Sequence, residues 1–192
     1  MQGHCTAACR WGGAKKMIYR RFHMKKYALI VLMIGIFGMT NWAFSQSVKI
    51  ESQKKCPLCG MYPARYPKFN CQIVFKDGSY EAFDSSIGLL VYLHFPDKTG
   101  LKLKPVAGIY FKDYLKEGWL EAENAFFVTG SEIRGPMGVQ FLPVDSQQAA
   151  EELKKQAKGK DIIQFKMINR QYLINAAKTG QLHKMAKKLV LK

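Results

Sequence analysis

The chain has 192 residues and a mass of 21.9 kDa, and 48% of its residues are hydrophobic while 23% are charged. These values suit one domain or two small ones with a buried core, and they exclude disorder for most of the chain. The net charge of +16 is uneven, because residues 1–45 hold seven basic residues and no acidic one. The remainder has an excess of nine basic residues, which weakens a nucleic-acid-binding interpretation.

Residues 1–45 are typical of an N-terminal extension followed by an export signal. Four basic residues at positions 20–26 precede an uncharged apolar run from Tyr27 to Ala43, and Phe44 and Ser45 complete a small-x-small cleavage site. The dense apolar part is shorter than the about 20 residues of a membrane span. We therefore expect cleavage after Ser45 and a periplasmic or otherwise extracytoplasmic location. An uncleaved segment, which would anchor the chain to the membrane, is the alternative.

Cleavage would leave three of the five cysteines, Cys56, Cys59 and Cys71. An odd number in an oxidising compartment leaves at least one thiol unpaired. Three cysteines also cannot build a zinc ribbon, which needs two paired knuckles.

Residues 46–55 are predicted to form a polar linker, and residues 56–122 a first α+β repeat. Within this repeat, Asn70–Phe75 alternates like a strand, and the Asp77-Gly78 turn predicts a hairpin with a partner strand at Ser79–Phe83. Asp84 or Ser85 is expected to begin a helix that stops before Pro96, and a further strand begins at Gly108.

Residues 123–165 are predicted to repeat this plan. A strand at Ala125–Thr129 leads into a glycine-rich loop, and a second strand at Val139–Leu142 is ended by Pro143. A capping box at Asp145-x-x-Gln148 opens a helix, and Gly159 closes it before a last strand. Residues 166–192 form a basic, helical tail. The fold class is therefore α+β, with two small, similar repeats of about ββαβ type after the signal segment.

Soft donor atoms gather at the start of the first repeat, in the sequence Cys56-Pro57-Leu58-Cys59-Gly60-Met61. Two cysteines at positions i and i+3 can direct their sulfurs to one point, and Gly60 lets the backbone turn so that Met61 can add a thioether. Thiolates and thioethers select Cu(I) over hard cations. Met137, flanked by Gly135-Pro136 and Gly138, is a second candidate thioether.

The spacing of the two cysteines leaves a metal site and a dithiol or disulfide role equally open. A thioredoxin-like motif should open a helix directly, and Gly60–Pro63 is a poor helix start. Cys71 is interpreted as a core residue, His94 as structural at a helix end, and His183 as a solvated residue of the tail.

The CPLCGM stretch at Cys56–Met61, the stretch QIVFKDGSYEAFD at Gln72–Asp84, and VTGSEIRGPMG within Ala125–Leu142 together resemble the nitrous oxide reductase accessory protein family, NosL. The resemblance covers about Cys56 to Phe165. It implies a fold of two small α+β repeats and a non-catalytic Cu(I) metallochaperone outside the cytoplasm. It also implies, as partner, the nitrous oxide reductase apoprotein, or another client that accepts copper.

By this resemblance, the motif cysteine and methionine are Cys59 and Met61. Cys56 is the paired cysteine of this version, and Met137 is the methionine of the second motif. Members of the family are commonly lipoproteins, whereas this chain has no lipidation cysteine after its apolar run. A thiol–disulfide oxidoreductase that uses Cys56 and Cys59 is the alternative function. A permanent structural disulfide and a membrane- or nucleic-acid-binding basic tail are further alternatives.

Overall fold

The computed structural model of the chain describes residues 46–192, so the predicted extension and signal at 1–45 lie outside the described residues. The described part combines short helices with antiparallel strands, which confirms the α+β prediction. None of its helices has the length and apolar character needed to cross a membrane.

The first sheet has four strands in the order β2-β1-β3-β4, and all neighbours are antiparallel. These strands are β1 (Cys71–Phe75), β2 (Tyr80–Phe83), β3 (Val106–Lys112) and β4 (Trp119–Glu121). The predicted turn joins β1 to β2, with Gly78 in the left-handed region at a φ of 80°. The Asp77 carboxylate holds the turn, because it accepts hydrogen bonds from the Ser79 backbone N–H and hydroxyl. The segment before the sheet is also held, since the Gln72 amide exchanges two hydrogen bonds with the Val48 backbone.

Two helices connect β2 to β3, namely α1 (Ser86–His94) and α2 (Pro96–Thr99). Ser85 is the N-cap of α1, because its hydroxyl accepts a hydrogen bond of 3.2 Å from the Gly88 N–H. This leaves the Asp84 side chain available for other contacts. Every residue from Ser86 to Tyr92 is buried, so α1 is the central helix of the fold.

The second sheet has three strands in the order β8-β5-β9, again antiparallel. Its strands are β5 (Phe126–Thr129), β8 (Leu142–Val144) and β9 (Asp161–Gln164), and a separate hairpin consists of β6 (Arg134–Gly135) and β7 (Gly138–Val139). The predicted strand Val139–Leu142 is therefore wrong, because β7 ends at Val139. Pro143 lies inside β8 and does not end a strand; it is tolerated because β8 is at the edge of the sheet.

Helix α3 (Gln147–Gln156) joins β8 to β9, and the predicted residue at its N-cap is wrong. Ser146 caps the helix by accepting a hydrogen bond from the Ala149 N–H, while Asp145 instead pairs with Lys116. After the helix, Lys158 is the residue with a positive φ, at 50°. Gly159 takes part in closing the helix, as predicted, because its N–H donates a 2.8 Å hydrogen bond to the Lys154 carbonyl. A Cβ there would lie 2.4 Å from the Val128 side chain, so its lack of a side chain also permits close packing.

The predicted helical tail contains α4 (Arg170–Lys178) and α5 (Lys184–Leu191), capped by Asn169 and His183. The two helices pack against each other, and α5 also packs on α1. Their buried faces belong to the main hydrophobic core, so the tail is part of the folded unit.

The main core lies between the first sheet, α1, α4 and α5, and it extends to the second sheet. The rings of Phe111 and Phe127 meet edge to face across the two sheets, with centroids 4.9 Å apart. A smaller cluster of buried side chains fills the space between the second sheet and α3. The Ser86 hydroxyl donates a 2.6 Å hydrogen bond to the Phe141 carbonyl, which ties the start of α1 to the segment after β7.

Candidate metal centre

The loop Cys56–Met61 is closed by two backbone hydrogen bonds. The Gly60 N–H donates to the Cys56 carbonyl at 2.9 Å, and the Cys56 N–H donates to the Met61 carbonyl at 2.7 Å. Gly60 has a φ of 76°, which a residue with a side chain adopts only under strain. A 3₁₀ turn at Pro63–Arg65 follows, so the second cysteine does not open an α-helix.

This loop brings two thiols next to a carboxylate. The Sγ atoms of Cys56 and Cys59 and one carboxylate oxygen of Asp84 all lie within 4.8 Å of one another. The Cys59 Sγ is 3.1 Å from Asp84 Oδ1. Cys56 is 3% exposed and Cys59 is half-buried, so solvent reaches the cluster on the Cys59 side. Among the histidine, cysteine and acidic side chains of residues 46–192, this is the one group of three that is close enough to share a metal ion.

The two thiols differ in acidity because of their surroundings. The hydrogen bond that the Cys56 thiol gives to Cys59, together with burial and the nearby negative charge of Asp84, raises the pKa of Cys56 far above its usual value. The same hydrogen bond, received by Cys59, lowers the pKa of Cys59, and burial and Asp84 oppose this shift. Cys59 is therefore the thiol that loses its proton first, and it is also the more accessible one.

Sequence reasoning missed Asp84 as a member of the site. Asp84 and Ser85 both qualify as helix N-caps, and the sequence does not show which one acts. Because Ser85 takes the cap, Asp84 turns to Cys59, and its second oxygen is buried without a hydrogen-bond partner among the described residues. The sequence did contain a signal for Asp84. Two residues that can cap a helix follow β2, and because only one of them can occupy the N-cap position, the other is available for a different contact.

Cys71 is separate from the cluster. It is fully buried in β1, and its thiol donates a 3.3 Å hydrogen bond to the Ser85 carbonyl. Burial raises the pKa of this thiol well above its usual value, which disfavours the thiolate that a metal would need. The prediction that Cys71 is a core residue is confirmed.

The two predicted methionine donors occupy different places. Met61 closes the cysteine loop through its carbonyl, and its side chain is half-exposed. Met137 lies in the turn between β6 and β7 and is also half-exposed. A Cβ on the neighbouring Gly138 would lie 3.9 Å from the His183 Cβ, so this turn packs against the start of α5.

The prediction that His183 is solvated is wrong, because it is 4% exposed and begins α5. Its Nδ1 accepts a hydrogen bond of 3.2 Å from the Ala186 N–H, so the neutral ring carries its proton on Nε2. Burial lowers the pKa of His183, and the charge of Asp84 opposes this effect. His183 is thus close enough to Asp84 for the carboxylate charge to affect its pKa. Its other ring nitrogen, Nε2, carries the proton and therefore acts as a hydrogen-bond donor. Binding a metal through Nε2 would require loss of the helix cap.

His94 does not join the cluster. It is in the last turn of α1, whereas Asp84 precedes the first, and nine helical residues span about 13 Å. Burial lowers the pKa of His94, so the ring favours its neutral form and not the cation expected at a helix end.

An α+β fold with two thiols and a carboxylate at a partly open loop defines a candidate metal-binding protein whose sulfur donors suit a soft ion. The family model NosL matches residues 47–173, and the chain belongs to the NosL family. The crystal structure of the copper chaperone NosL from Shewanella denitrificans is similar, with a TM-score of 0.56 and 25% sequence identity over 66% of this chain and 97% of that chain. No curated protein matches the chain.

Proposed function

We propose that the protein is a Cu(I) chaperone that binds the ion at Cys56, Cys59 and Met61. As a member of the NosL family, the chain is a metal-binding protein and not an enzyme. The observation that carries the proposal is the convergence of Cys56, Cys59 and Asp84 within 4.8 Å, next to a methionine on the same closed loop. Two thiolates and a thioether are the donors that Cu(I) prefers.

The geometry also suits a site that must release its ion. Cys59 and Met61 are half-exposed, so a donor from another protein can approach the metal before these ligands leave. Cys56, held below them at 3% exposure, would keep the ion in place during the exchange. Asp84 stabilises the Cys59 thiol by accepting its hydrogen bond in the metal-free form. Met137 is proposed as an additional thioether that reaches the site from the second hairpin.

Titration of the reduced protein with Cu(I) against a chromophoric Cu(I) chelator tests the proposal. We expect one equivalent of Cu(I) to be bound in competition with the chelator. Cys59→Ser should weaken binding by about 100-fold, or about 2.7 kcal/mol, because it removes one of two thiolates. Cys71→Ser is the matched control, and its affinity should stay within about twofold, since Cys71 faces the core and bonds to the Ser85 carbonyl. Equal binding by wild type and Cys59→Ser would refute the site.

We further propose an extracytoplasmic location and delivery of copper to the centres of nitrous oxide reductase. The support is the family membership together with the signal-like sequence at 1–45, whose structure lies outside the described residues. The test is the copper content of nitrous oxide reductase from cells that express wild type or Cys59→Ser. An unchanged content would leave Cu(I) binding intact and point to another client.

Thiol–disulfide exchange is the second candidate, and the unequal acidity of the two thiols favours it. Against it, Cys59 lies in a closed loop that leads into a 3₁₀ turn, and not at the start of a helix that would stabilise a thiolate. Met61→Leu separates the two functions, because it should weaken Cu(I) binding and leave exchange with a model disulfide unchanged.

We also propose that the two sheets derive from one repeated ββαβ plan. In each, the first strand is central, and a helix connects the second strand to the third.

A further inference from the structure

Three segments of the chain meet at the metal centre, and none of their outward-facing residues is acidic. The loop lies within 52–70, the second hairpin within 133–144, and the histidine cap within 162–192; none of these segments contains Asp or Glu. The segment after the hairpin bonds to Ser86, two residues after Asp84, and the hairpin itself packs on His183, which is close enough to Asp84 to sense its charge. The acidic residue of the cluster, Asp84, is 1% exposed. The exposed charged residues of these three segments are therefore all basic, and Glu81 of β2 is paired with Lys54 at 3.0 Å.

The outward face of α5 carries most of this charge. Its buried residues are Ala186 and Val190, and its exposed residues are Lys184, Lys187, Lys188, Leu191 and the adjoining Lys192. The six ion pairs of the described residues involve none of these lysines. Eight helical residues span about 12 Å, so the four lysines are spread along the helix over about that distance from His183.

The cysteine loop adds basic residues on its own rim. Lys55 and Arg65 are exposed, and both stack on Tyr62, at 5.7 and 4.8 Å from the ring centroid. These cation–π contacts hold the two positive charges beside Met61 without neutralising them. Basic groups elsewhere are often paired, as Lys104 is with Asp77 and Arg170 with Asp97.

We propose that the exposed face of α5 and the Lys55–Arg65 rim form a docking surface for an acidic patch on a partner protein that exchanges copper with this site. The inference rests on the proposed Cu(I) function and names the chemistry of its partner. Ion transfer by ligand exchange requires that a protein donor reach Cys59, so the Lys55–Arg65 rim that flanks the cysteine loop must face the partner. Helix α5 extends this basic surface from His183, which packs against the second hairpin. Complementary charge accelerates such encounters and orients them. Leu191, 45% exposed among the lysines, supplies an apolar contact at the C-terminal end of α5.

Stopped-flow transfer of Cu(I) from the loaded protein to two synthetic peptides tests this surface. Both peptides carry the same Cys and Met donors, one flanked by four glutamates and the other by four lysines. At about 20 mM salt, we expect transfer to the acidic peptide to be at least about tenfold faster. The difference should largely disappear at about 0.5 M salt, where charges are screened within a few ångströms.

A matched pair of variants locates the effect. Lys187→Gln/Lys188→Gln should slow transfer to the acidic peptide by about fivefold at low salt. The control, Lys76→Gln/Lys102→Gln, removes the same charge from two other exposed positions. Lys76 is at the hairpin turn, at the other end of β1 from Cys71. We expect the control to change the rate by less than about 1.5-fold. Equal effects of the two variants would overturn the docking surface and indicate a response to net charge alone.

Two measurements separate this inference from the proposed function. The first is binding of the fluorescently labelled acidic peptide to the metal-free protein, followed by anisotropy, which does not depend on copper. We expect the same order of variants as in the transfer assay: Lys187→Gln/Lys188→Gln should weaken binding more than Lys76→Gln/Lys102→Gln. If the protein binds no Cu(I) but retains this order, the function fails and the surface stands. The second is co-sedimentation with phosphatidylglycerol vesicles, which tests whether the basic surface binds a membrane and not a protein. Loss of vesicle binding in Lys187→Gln/Lys188→Gln with unchanged peptide binding would overturn the protein partner.

Discussion

The Cys56–Met61 loop and the Arg134–Val139 hairpin resemble each other locally and differ in their surroundings. Each presents a half-exposed methionine next to a left-handed glycine, Gly60 at a φ of 76° and Gly138 at 99°. The loop is joined to two thiols and a carboxylate. The hairpin has no cysteine, histidine or acidic residue of its own, and packs against His183. The thiols of the candidate site therefore all lie on one side, in the first loop, and the hairpin offers a single thioether, that of Met137.

The pH dependence of binding should give the largest effect on this one-sided site. Hydrogen bonding to Cys59 and burial hold the pKa of Cys56 high, so Cu(I) must displace its proton across the physiological range. Protons compete more strongly as pH falls, so the apparent affinity should drop about tenfold per pH unit, or about 100-fold from pH 8 to pH 6. Chelator competition at several pH values measures the slope. A flat profile would show that Cys56 is not a ligand.

Removal of the carboxylate should have the next largest effect. Asp84→Asn takes away a negative charge that helps to raise the pKa of Cys56 and opposes the lowering of the pKa of Cys59. Protons then compete less with Cu(I) for the two sulfurs, and we expect the apparent Cu(I) affinity to rise by about tenfold. Asp77→Asn, at the far turn of the first hairpin, is the control and should leave affinity unchanged. If the two variants behave alike in the chelator assay, Asp84 is outside the site.

Substitution of the two methionines compares the loop with the hairpin directly. Met61→Leu should lower Cu(I) affinity by about fivefold, because the thioether lies on the cysteine loop, and Met137→Leu by about threefold. Both changes conserve volume, so the midpoint of urea unfolding should stay nearly constant. No effect of Met137→Leu on affinity would restrict the hairpin to a packing role.

Variants of His183 should affect stability more than metal binding. His183→Ala removes the cap of α5, and we expect the free energy of unfolding to fall by about 1 kcal/mol or more. His183→Asn restores a capping side chain and should recover part of this loss. The Cu(I) affinity of both should remain within about twofold, since Nε2 carries a proton. A tenfold loss of affinity in His183→Asn would instead identify a metal ligand.

The sequence predicted much of the first sheet and less of the second. The hairpin of β1 and β2 follows from the strand-like apolar pattern of Asn70–Phe75 and the Asp77-Gly78 turn, both of which are local signals. The segment Gly135–Val144 contains two glycines and two prolines over short strands, and its hydrogen bonding depends on what packs beneath it. Gln140, for example, lies under Gly135, where a Cβ would approach its side chain to 2.7 Å. The predicted Val139–Leu142 strand was wrong for this reason.

For the candidate site, the sequence predicted the family and the turn at Gly60, while the cysteine spacing left a soft-metal site and a dithiol role open. These properties belong to a few neighbouring residues, and the chemistry of sulfur does not depend on distant contacts. Only the tertiary structure placed Asp84 on Cys59, 25 residues away, and buried His183 next to them. Proximity between distant segments is set by the packing of β2, α1 and α5 around a shared core, which no local pattern encodes.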